Sequence, residues 1–461
     1  MRPFPASADE FYALRDDRTN RCVGSGEYQK ARCALVISED AVASFAGQVM
    51  LRVAANLLSR WCRRVTVVLP STDTESAVGL GVGNLGEVVL AQMRDADPFG
   101  NFNLSDQLPM DAPLKLCIGH GPSEVSDPAS VCINASGWLA SISIGRAIPL
   151  EPSEVRNPLG AIAAACLGIA QLFKIAVQMP RASYLRAGIF DVFSLAWLST
   201  VPQGRRWPES LDIGRILMVG AGSVGSSAVY SMHLAGLAGS LTIVDNDDTK
   251  IENFNRSPIF GQKTLGEPKS AATAAFLSSS TLSPTPVVLW WDEFLKQHGR
   301  AAVDFDVWLP LANDFDVRRS MQHNVPPLLI HASTTANWGV NHARHIPGRD
   351  DCLVDRFPTV VTADQLACGV GKISAAEVTV DAALPFISFF AGMLVAADLV
   401  RAQLPDYPQT PNFALIDWYG NLEGIQSWDR KPRPGCVCGD QAALHEYYNR
   451  NTRHYPRFKL A

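Results

Sequence analysis

Charge is scarce in this sequence, and neither sign dominates. Asp, Glu, Lys and Arg make up 18% of the 461 residues, and the formal net charge is -5. A chain of that kind lacks the composition of a disordered, highly solvated protein. It also lacks a global field that would draw it to nucleic acid or anionic membrane. Neither partner is expected, and recognition should be local. A leader pattern is missing as well: the first twenty residues are studded with Asp and Arg where a basic stretch and an apolar core would stand, which points to the cytoplasm. Long uninterrupted apolar runs are missing too. The stretch from Gly160 to Gln178 is broken by Gln171 and Lys174, and that from Pro385 to Val400 is short for a membrane span, so buried helices are expected at both. Finally, the ten cysteines form no disulfide frame. Cys33, Cys117, Cys132 and Cys166 stand singly in apolar runs, as reduced core residues do.

What is present is ample apolar material, 47% of the chain, over a length that exceeds one hydrophobic core. Two domains are expected, 1–205 and 206–461. The first half alternates strand and helix signals. Short β-branched runs follow Cys33, Arg64, Leu114 and Ser130, apolar residues at helical spacing run from Ala41 to Arg60, and Pro158 to Val177 reads as a long apolar helix. That order predicts an α/β fold with parallel strands. The passage from Trp197 to Leu211, rich in turn residues, reads as the linker. The pattern then restarts with a strand from Arg215, a helix from Ser223 to Leu237 and a strand from Ser240.

Strand, loop, helix and strand thus recur in the same order, so the chain reads either as a diverged internal duplication or as two unrelated α/β domains. The loops differ. The first, Ser38-Glu39-Asp40-Ala41-Val42, has no glycine and carries two carboxylates that would repel a phosphate, and its second strand ends in Pro70-Ser71. If the halves are related, the first is a degenerate copy and only the second binds nucleotide.

In the second half, Gly220-Ala221-Gly222-Ser223-Val224-Gly225 follows a strand and opens a helix. Such glycines allow a tight turn and close approach of backbone amides to a phosphate. The same turn would suit an NAD-dependent dehydrogenase or plain strand-to-helix packing. Asp245 ends the next strand, where a carboxylate can take ribose hydroxyls. Asp247, Asn253, Arg256 and, thirteen residues on, Lys269 follow. A dehydrogenase has no need of these cations, whereas breaking a phosphoanhydride puts charge on phosphate oxygens that fixed cations must meet.

The string Val244-Asp245-Asn246-Asp247, Glu252-Asn253, Arg256, Ile259-Phe260 and Leu265-Gly266-Glu267-Pro268-Lys269 resembles the adenylation domain of the ThiF, MoeB and eukaryotic E1 superfamily. The likeness continues through Asn313-Asp314 and Arg318, Pro327, Asp351-Cys352-Leu353, and Pro434 to Gly439, covering roughly 212 to 440. It implies two Rossmann-like adenylation-type domains, the first inactive. It also implies ATP-dependent activation of the terminal glycine of a ubiquitin-like protein, with Asp245 on the ribose and Asn253, Arg256 and Lys269 on the phosphates. Magnesium in the family is held by an Asp that precedes Asn; here the order is Asn313-Asp314, so either residue is a candidate ligand. The resemblance also implies a structural zinc, against which the shortened cysteine spacing here argues. The family's paired Cys-x-x-Cys is reduced to Cys352 with Asp355 and to Cys436 and Cys438, which leaves a bound Zn2+ or a lost site as alternatives.

Cys368, in Ala367-Cys368-Gly369, falls where the family's crossover segment carries its thioester cysteine. A role as nucleophile that passes the acyl group to an E2-like conjugating enzyme is implied, against an ordinary core cysteine. Relatives also complete the site with an arginine from a facing protomer or inactive partner domain. Arg18 is the candidate, against a solvated N-terminal helix. The chain would then be a pseudo-dimer by itself, with homodimerisation as the alternative assembly. The architecture also resembles that of E1-like proteins in bacterial ubiquitin-like conjugation operons of the Bil antiphage type. Rival readings are a sulfur-carrier adenylyltransferase, a peptide-adenylating enzyme of natural-product synthesis and a non-catalytic scaffold for a ubiquitin-like partner.

Overall fold

The computed structural model describes residues 4–24, 26–71, 74–79, 81, 83–119, 130–153, 155–201, 206–299, 304–335, 338–353, 370–372, 379–381, 383–422, 425–434, 436, 442 and 444. Two helices open the chain, α1 (Ala8–Arg15) and α2 (Asp17–Val23). The first sheet is built from β1 (Arg32–Ile37), β2 (Arg64–Val68), β3 (Asn101–Ser105), β4 (Leu114–Ile118), β5 (Val131–Ser136), β6 (Leu139–Ile144), β7 (Gly188–Asp191) and β8 (Ala196–Leu198). The second contains β9 (Asp212–Val219), β10 (Ala238–Val244), β11 (Leu282–Val287), β12 (Val307–Pro310), β13 (Leu329–Thr334) and β14 (Gly339–His345). A separate hairpin, β15 (Val370–Lys372) and β16 (Thr379–Asp381), precedes its last two strands, β17 (Phe413–Asp417) and β18 (Gln426–Trp428).

The spatial orders are β3-β2-β1-β4-β5-β6-β7-β8 and β11-β10-β9-β12-β13-β14-β17-β18. Counting strands within each sheet, the two orders are identical. The pairing directions agree as well: four parallel pairings, then three antiparallel ones, occur in the same sequence in both sheets. An α/β fold was expected, and the repeated topology favours internal duplication over two unrelated domains.

Helices fill the crossovers: α3 (Glu39–Ala43), α4 (Phe45–Ser59), α5 (Leu85–Ala96) and α6 (Leu159–Ala176) in the first half. In the second they are α7 (Ser223–Leu234), α8 (Ile251–Phe254), α9 (Lys269–Phe276), α10 (Trp291–His298), α11 (Phe315–His323) and α12 (Pro385–Arg401). The helix expected from Ala41 to Arg60 is in fact two. Ser44 caps the second by accepting from the Gly47 amide at 2.9 Å, and a side chain at Gly47 would strike the Ala41 carbonyl. Nor does the linker start at Trp197, because β8 takes residues 196–198 into the first sheet, where the Trp197 indole donates to the Leu422 carbonyl at 2.8 Å.

One large apolar cluster spans both halves, and each half holds a smaller one of its own. Helix α6 is long and apolar enough to cross a membrane, yet 89% of it is buried inside the protein. Its Phe173 meets Phe386 of α12 at 5.6 Å between ring centres, while Phe390 of α12 meets Phe190 at 6.0 Å and Trp418 at 4.8 Å. Each such buried ring contributes about 1.5–3 kcal/mol.

The core also holds a charged cluster. On α12, Asp398 accepts from Arg401, and its other oxygen lies 3.1 Å from His342 Nε2. Burial pushes the Asp398 pKa up, but Arg401 and His342 pull it further down, and the net result lies below the ordinary carboxylate range. A depressed folded-state pKa gives stability that is present above the unfolded value and is lost as pH falls toward the folded one. Asp398→Asn is therefore expected to cost about 3–5 kcal/mol at neutral pH, because it leaves Arg401 buried without its carboxylate. The deficit should shrink as pH falls below about 4, and chemical denaturation at several pH values measures it.

Candidate nucleotide site

Strands β9, β10 and β12 end side by side, and their C-terminal loops form a cavity of about 560 Å³. Ligands of open parallel sheets bind at such carboxyl edges. The turn after β9 is built by its three glycines in different ways. Gly220 has φ +100°, and a Cβ there would sit 2.4 Å from the Ala312 amide, so only glycine lets the loops after β9 and β12 touch. Around Gly222 an added Cβ would meet nothing within 4 Å: the space before the N-terminus of α7 is open. Gly225 lines no part of the cavity; a Cβ there would lie 2.1 Å from the Gly220 carbonyl, so it packs helix against turn.

Gly220, Gly222, Asp245, Asp247, Asn253, Arg256, Lys269, Asn313, Asp314 and Arg18 all line this one cavity. The structure thus brings together every candidate nucleotide residue except Gly225. Asp245 is half-buried, which raises its carboxyl pKa against the lowering pull of Lys269. One of its oxygens accepts from the Ala221 amide at 2.7 Å and the other from the Asp247 amide at 2.9 Å, tying the glycine turn to the end of β10. The remaining acceptor positions of a carboxylate can take a hydroxyl. Lys269 stands at the first turn of α9 and bonds Asp247 at 2.7 Å. Arg256 is buried and donates to the Glu252 carbonyl and to Asn255 Oδ1. Asn253 accepts the Lys250 amide through Oδ1 at 2.8 Å, so its NH2 is the end able to donate to a phosphate.

Asp314 caps α11: its Oδ1 accepts from the amides of Asp316 and Val317 at 2.8 and 3.3 Å. That cap uses one oxygen, so Asp314 fits a magnesium ligand through the other, while Asn313 beside it offers a neutral oxygen at most.

The sequence reading missed Trp290, Lys250 and the cavity role of Arg318. Trp290, at the start of α10, lines the cavity and is 61% exposed. Arg318 donates to the Ala312 carbonyl at 2.9 Å and so holds the loop that backs Gly220. Arg318 was visible within the family string, whereas no local signal marks an exposed tryptophan 45 residues from the turn after β10.

The first half has no glycine turn at the matching corner. Helix α3 follows β1 directly, capped by Ser38, and a side chain at Gly119 after β4 would strike Ser38 and Ala41. The two carboxylates expected to repel phosphate, Glu39 and Asp40, sit on that helix.

Of the late cysteines, Cys352 and Cys436 come together with their sulfurs 3.5 Å apart. Thiolates on one tetrahedral zinc at about 2.3 Å lie about 3.8 Å from each other, so this pair fits two corners of such a site. Among the described residues no cluster of three or more metal-ligating side chains includes them. Cys438, Asp355 and Cys368 lie outside the described residues.

Comparison with known proteins identifies the second half. Residues 204–436 match the ThiF family model, and residues 32–189 match that of the BilD N-terminal domain. The chain belongs to the ThiF family. Among relatives, y4jF of Sinorhizobium fredii (strain NBRC 101917 / NGR234) is 26% identical over 59% of this chain and 50% of its own length. The human ubiquitin-like modifier-activating enzyme 7 is 28% identical over 30% of this chain and 14% of its own. The molybdopterin-synthase adenylyltransferase of Escherichia coli (strain K12) is 35% identical over 17% and 32%. The chain thus spans about half the length of the first relative and less of the others. Among solved structures, Escherichia coli MccB aligns with TM-score 0.38 at 15% identity, over 49% of this chain and 64% of that one. Within this ThiF-family chain, the matched region holds the cavity and its glycine turn, and Arg18 alone of the candidate residues enters from outside it.

Proposed function

We propose that this protein uses ATP to adenylate the C-terminal carboxylate of a ubiquitin-like protein and then carries the acyl group on Cys368 for transfer to an E2-like partner. One observation carries the reading: Arg18, Lys250, Arg256, Lys269 and Arg318 converge on a cavity that opens onto a glycine turn and a helix N-terminus. The triphosphate would lie along this cation-lined floor, with Asp245 on the ribose. The carboxylate of the incoming tail forms a bond to the α-phosphorus while the bond from that phosphorus to the bridging α,β oxygen breaks. Pyrophosphate leaves, and its growing charge falls on Arg256, Lys269 and Arg18. Magnesium, when bound, would neutralise phosphate charge; Asp314 would hold it.

In the second step the Cys368 thiolate attacks the acyl carbon and AMP departs, leaving a thioester. Ala383 lines the cavity and β16 runs beside α2, while the role of Cys368 rests on its place in the family's crossover segment. The BilD N-terminal match supports a bacterial ubiquitin-like conjugation system as the setting. The relatives that carry such activities by name support the chemistry, including the sulfur-carrier alternative.

A second reading, a non-catalytic scaffold that binds a ubiquitin-like partner, is favoured by one feature: the cap on α11 draws Asp314 Oδ1 away from a metal. Incubation with candidate ubiquitin-like proteins, ATP and magnesium separates the two readings. Turnover gives AMP and a thiol-sensitive adduct by mass spectrometry, whereas the scaffold gives neither. Cys368→Ser is expected to keep ATP–pyrophosphate exchange and lose the reducible adduct; an adduct that persists would move the nucleophile elsewhere.

A further inference from the structure

The last turn of α4 belongs to the first half, yet it reaches into the second. Asn56 Nδ2 donates to the Pro258 carbonyl at 2.9 Å. Arg60 is 2% exposed: its Nε donates to Asn56 Oδ1 at 2.7 Å, while NH1 reaches across to the carbonyls of Phe254 at 2.6 Å and Phe260 at 3.1 Å, and NH2 to that of Pro258 at 2.9 Å. Those three carbonyls bracket Arg256, a cavity residue, on both sides in sequence. Asp95, at the end of α5, extends the grip by accepting the Lys263 amide at 3.0 Å.

The same turn of α4 also grips the N-terminal helices. The Ser59 carbonyl accepts from Arg15 NH1 at 3.2 Å. Arg15 is fully buried and pairs with Asp16 and Asp97, each at 2.6 Å. Three residues past Arg60, Arg63 bonds Asp16 at 2.8 Å and lies 3.6 Å from the centre of the Tyr12 ring. Asp16 joins α1 to α2, and α2 carries Arg18 into the cavity; Asn255 in turn donates to Thr19 of α2 at 3.2 Å.

We propose that Arg60 is a positioning residue for the nucleotide site: the first half of the molecule sets the place of Arg256 through Arg60, and of Arg18 through the neighbouring Ser59 and Arg63. This rests on the reading of the cavity as a polyphosphate site. A buried arginine whose two terminal nitrogens donate to three carbonyls on a neighbouring loop fixes that loop's backbone, because each carbonyl left without a donor would carry a desolvation penalty. Lysine at this position keeps the charge but has one nitrogen, which cannot span three carbonyls and Asn56 together.

The control is Lys174, another buried cation that joins the halves. Its ammonium donates to the carbonyls of Ser183 at 2.7 Å and Gly420 at 2.6 Å, neither of which lines the cavity. Full-length Arg60→Lys, the milder Asn56→Ala, and Lys174→Met are compared at a temperature where circular dichroism finds each of them folded. Affinity for inorganic tripolyphosphate is measured by calorimetry, and amide hydrogen exchange is followed at residues 254–260.

The expected result is a loss of about tenfold or more in tripolyphosphate affinity for Arg60→Lys, a smaller loss for Asn56→Ala, and faster exchange at 254–260 in both. Lys174→Met should lower the melting temperature without changing affinity. Equal losses in Arg60→Lys and Lys174→Met, or faster exchange at 254–260 with unchanged affinity, would overturn the proposal and leave Arg60 a structural residue only. Adenylation is scored separately by pyrophosphate exchange with ubiquitin-like proteins. A wild-type chain that binds tripolyphosphate in an Arg60-dependent way but never exchanges pyrophosphate would refute the adenylation reading and leave the brace standing.

Discussion

Lys269→Ala is expected to reduce ATP–pyrophosphate exchange by about 10²–10³-fold in kcat/KM, as removal of one donor to developing charge does elsewhere. The cavity lining holds five cations, Arg18, Lys250, Arg256, Lys269 and Arg318, against the four carboxylates Asp245, Asp247, Glu252 and Asp314. Without Lys269 the balance becomes four against four, and the formal surplus that favours a polyphosphate is gone. Asp247, which bonds the ammonium at 2.7 Å, would then face the phosphates uncompensated. Lys269 also helps hold Asp245 ionised against burial. Its loss should therefore shift the acid limb of any residual activity to higher pH. The α9 backbone does not depend on the side chain, because the Lys269 amide bonds the Asp247 carbonyl through the main chain. Exchange that stays at the wild-type rate would remove Lys269 from the chemistry.

Arg18→Ala should be nearly as damaging, about 10³-fold in the rate of exchange with a smaller effect on ATP affinity, since the charge it would meet develops as pyrophosphate departs. The helix that carries it is held by the buried Arg15, Asp16 and Asp97 and by the half-buried Arg63, so the variant should fold. Mixing provides a sharper test. In the structure Arg18 enters the cavity of its own chain. Equal amounts of Arg18→Ala and Lys269→Ala chains should then stay inactive, because no chain in the mixture has a complete site. Recovery of activity on mixing would mean that the arginine is supplied across a homodimer.

The candidate site was legible where its chemistry is contiguous. From Gly220 to Lys269, turn, acid, amide and cations follow one another within fifty residues, and the sheet edge gathers them into one cavity. Arg18 lies two hundred residues away and carried no local signal beyond a charged helix; only the assumption of a facing half made it a candidate. Arg60 and Asn56 could not be read at all. They look like ordinary residues at the end of an amphipathic helix, and their meaning comes from carbonyls some two hundred positions further on. The break at Ser44 was hidden for a different reason, since apolar spacing runs straight through a serine cap. Likewise β8 was concealed in a polar, turn-rich passage, because a three-residue edge strand has too few side chains to set a period.

The repeated sheet order has a consequence for how such a molecule is cut and read. Because α6 and α12 bury their rings against each other, neither half owns a finished interior. A fragment starting near residue 206 would expose the face that α6 now covers, and an inert truncate would say nothing about which half performs chemistry. The same cut would strip away Asn56 and Arg60, and with them the side chains that hold the carbonyls of 254, 258 and 260.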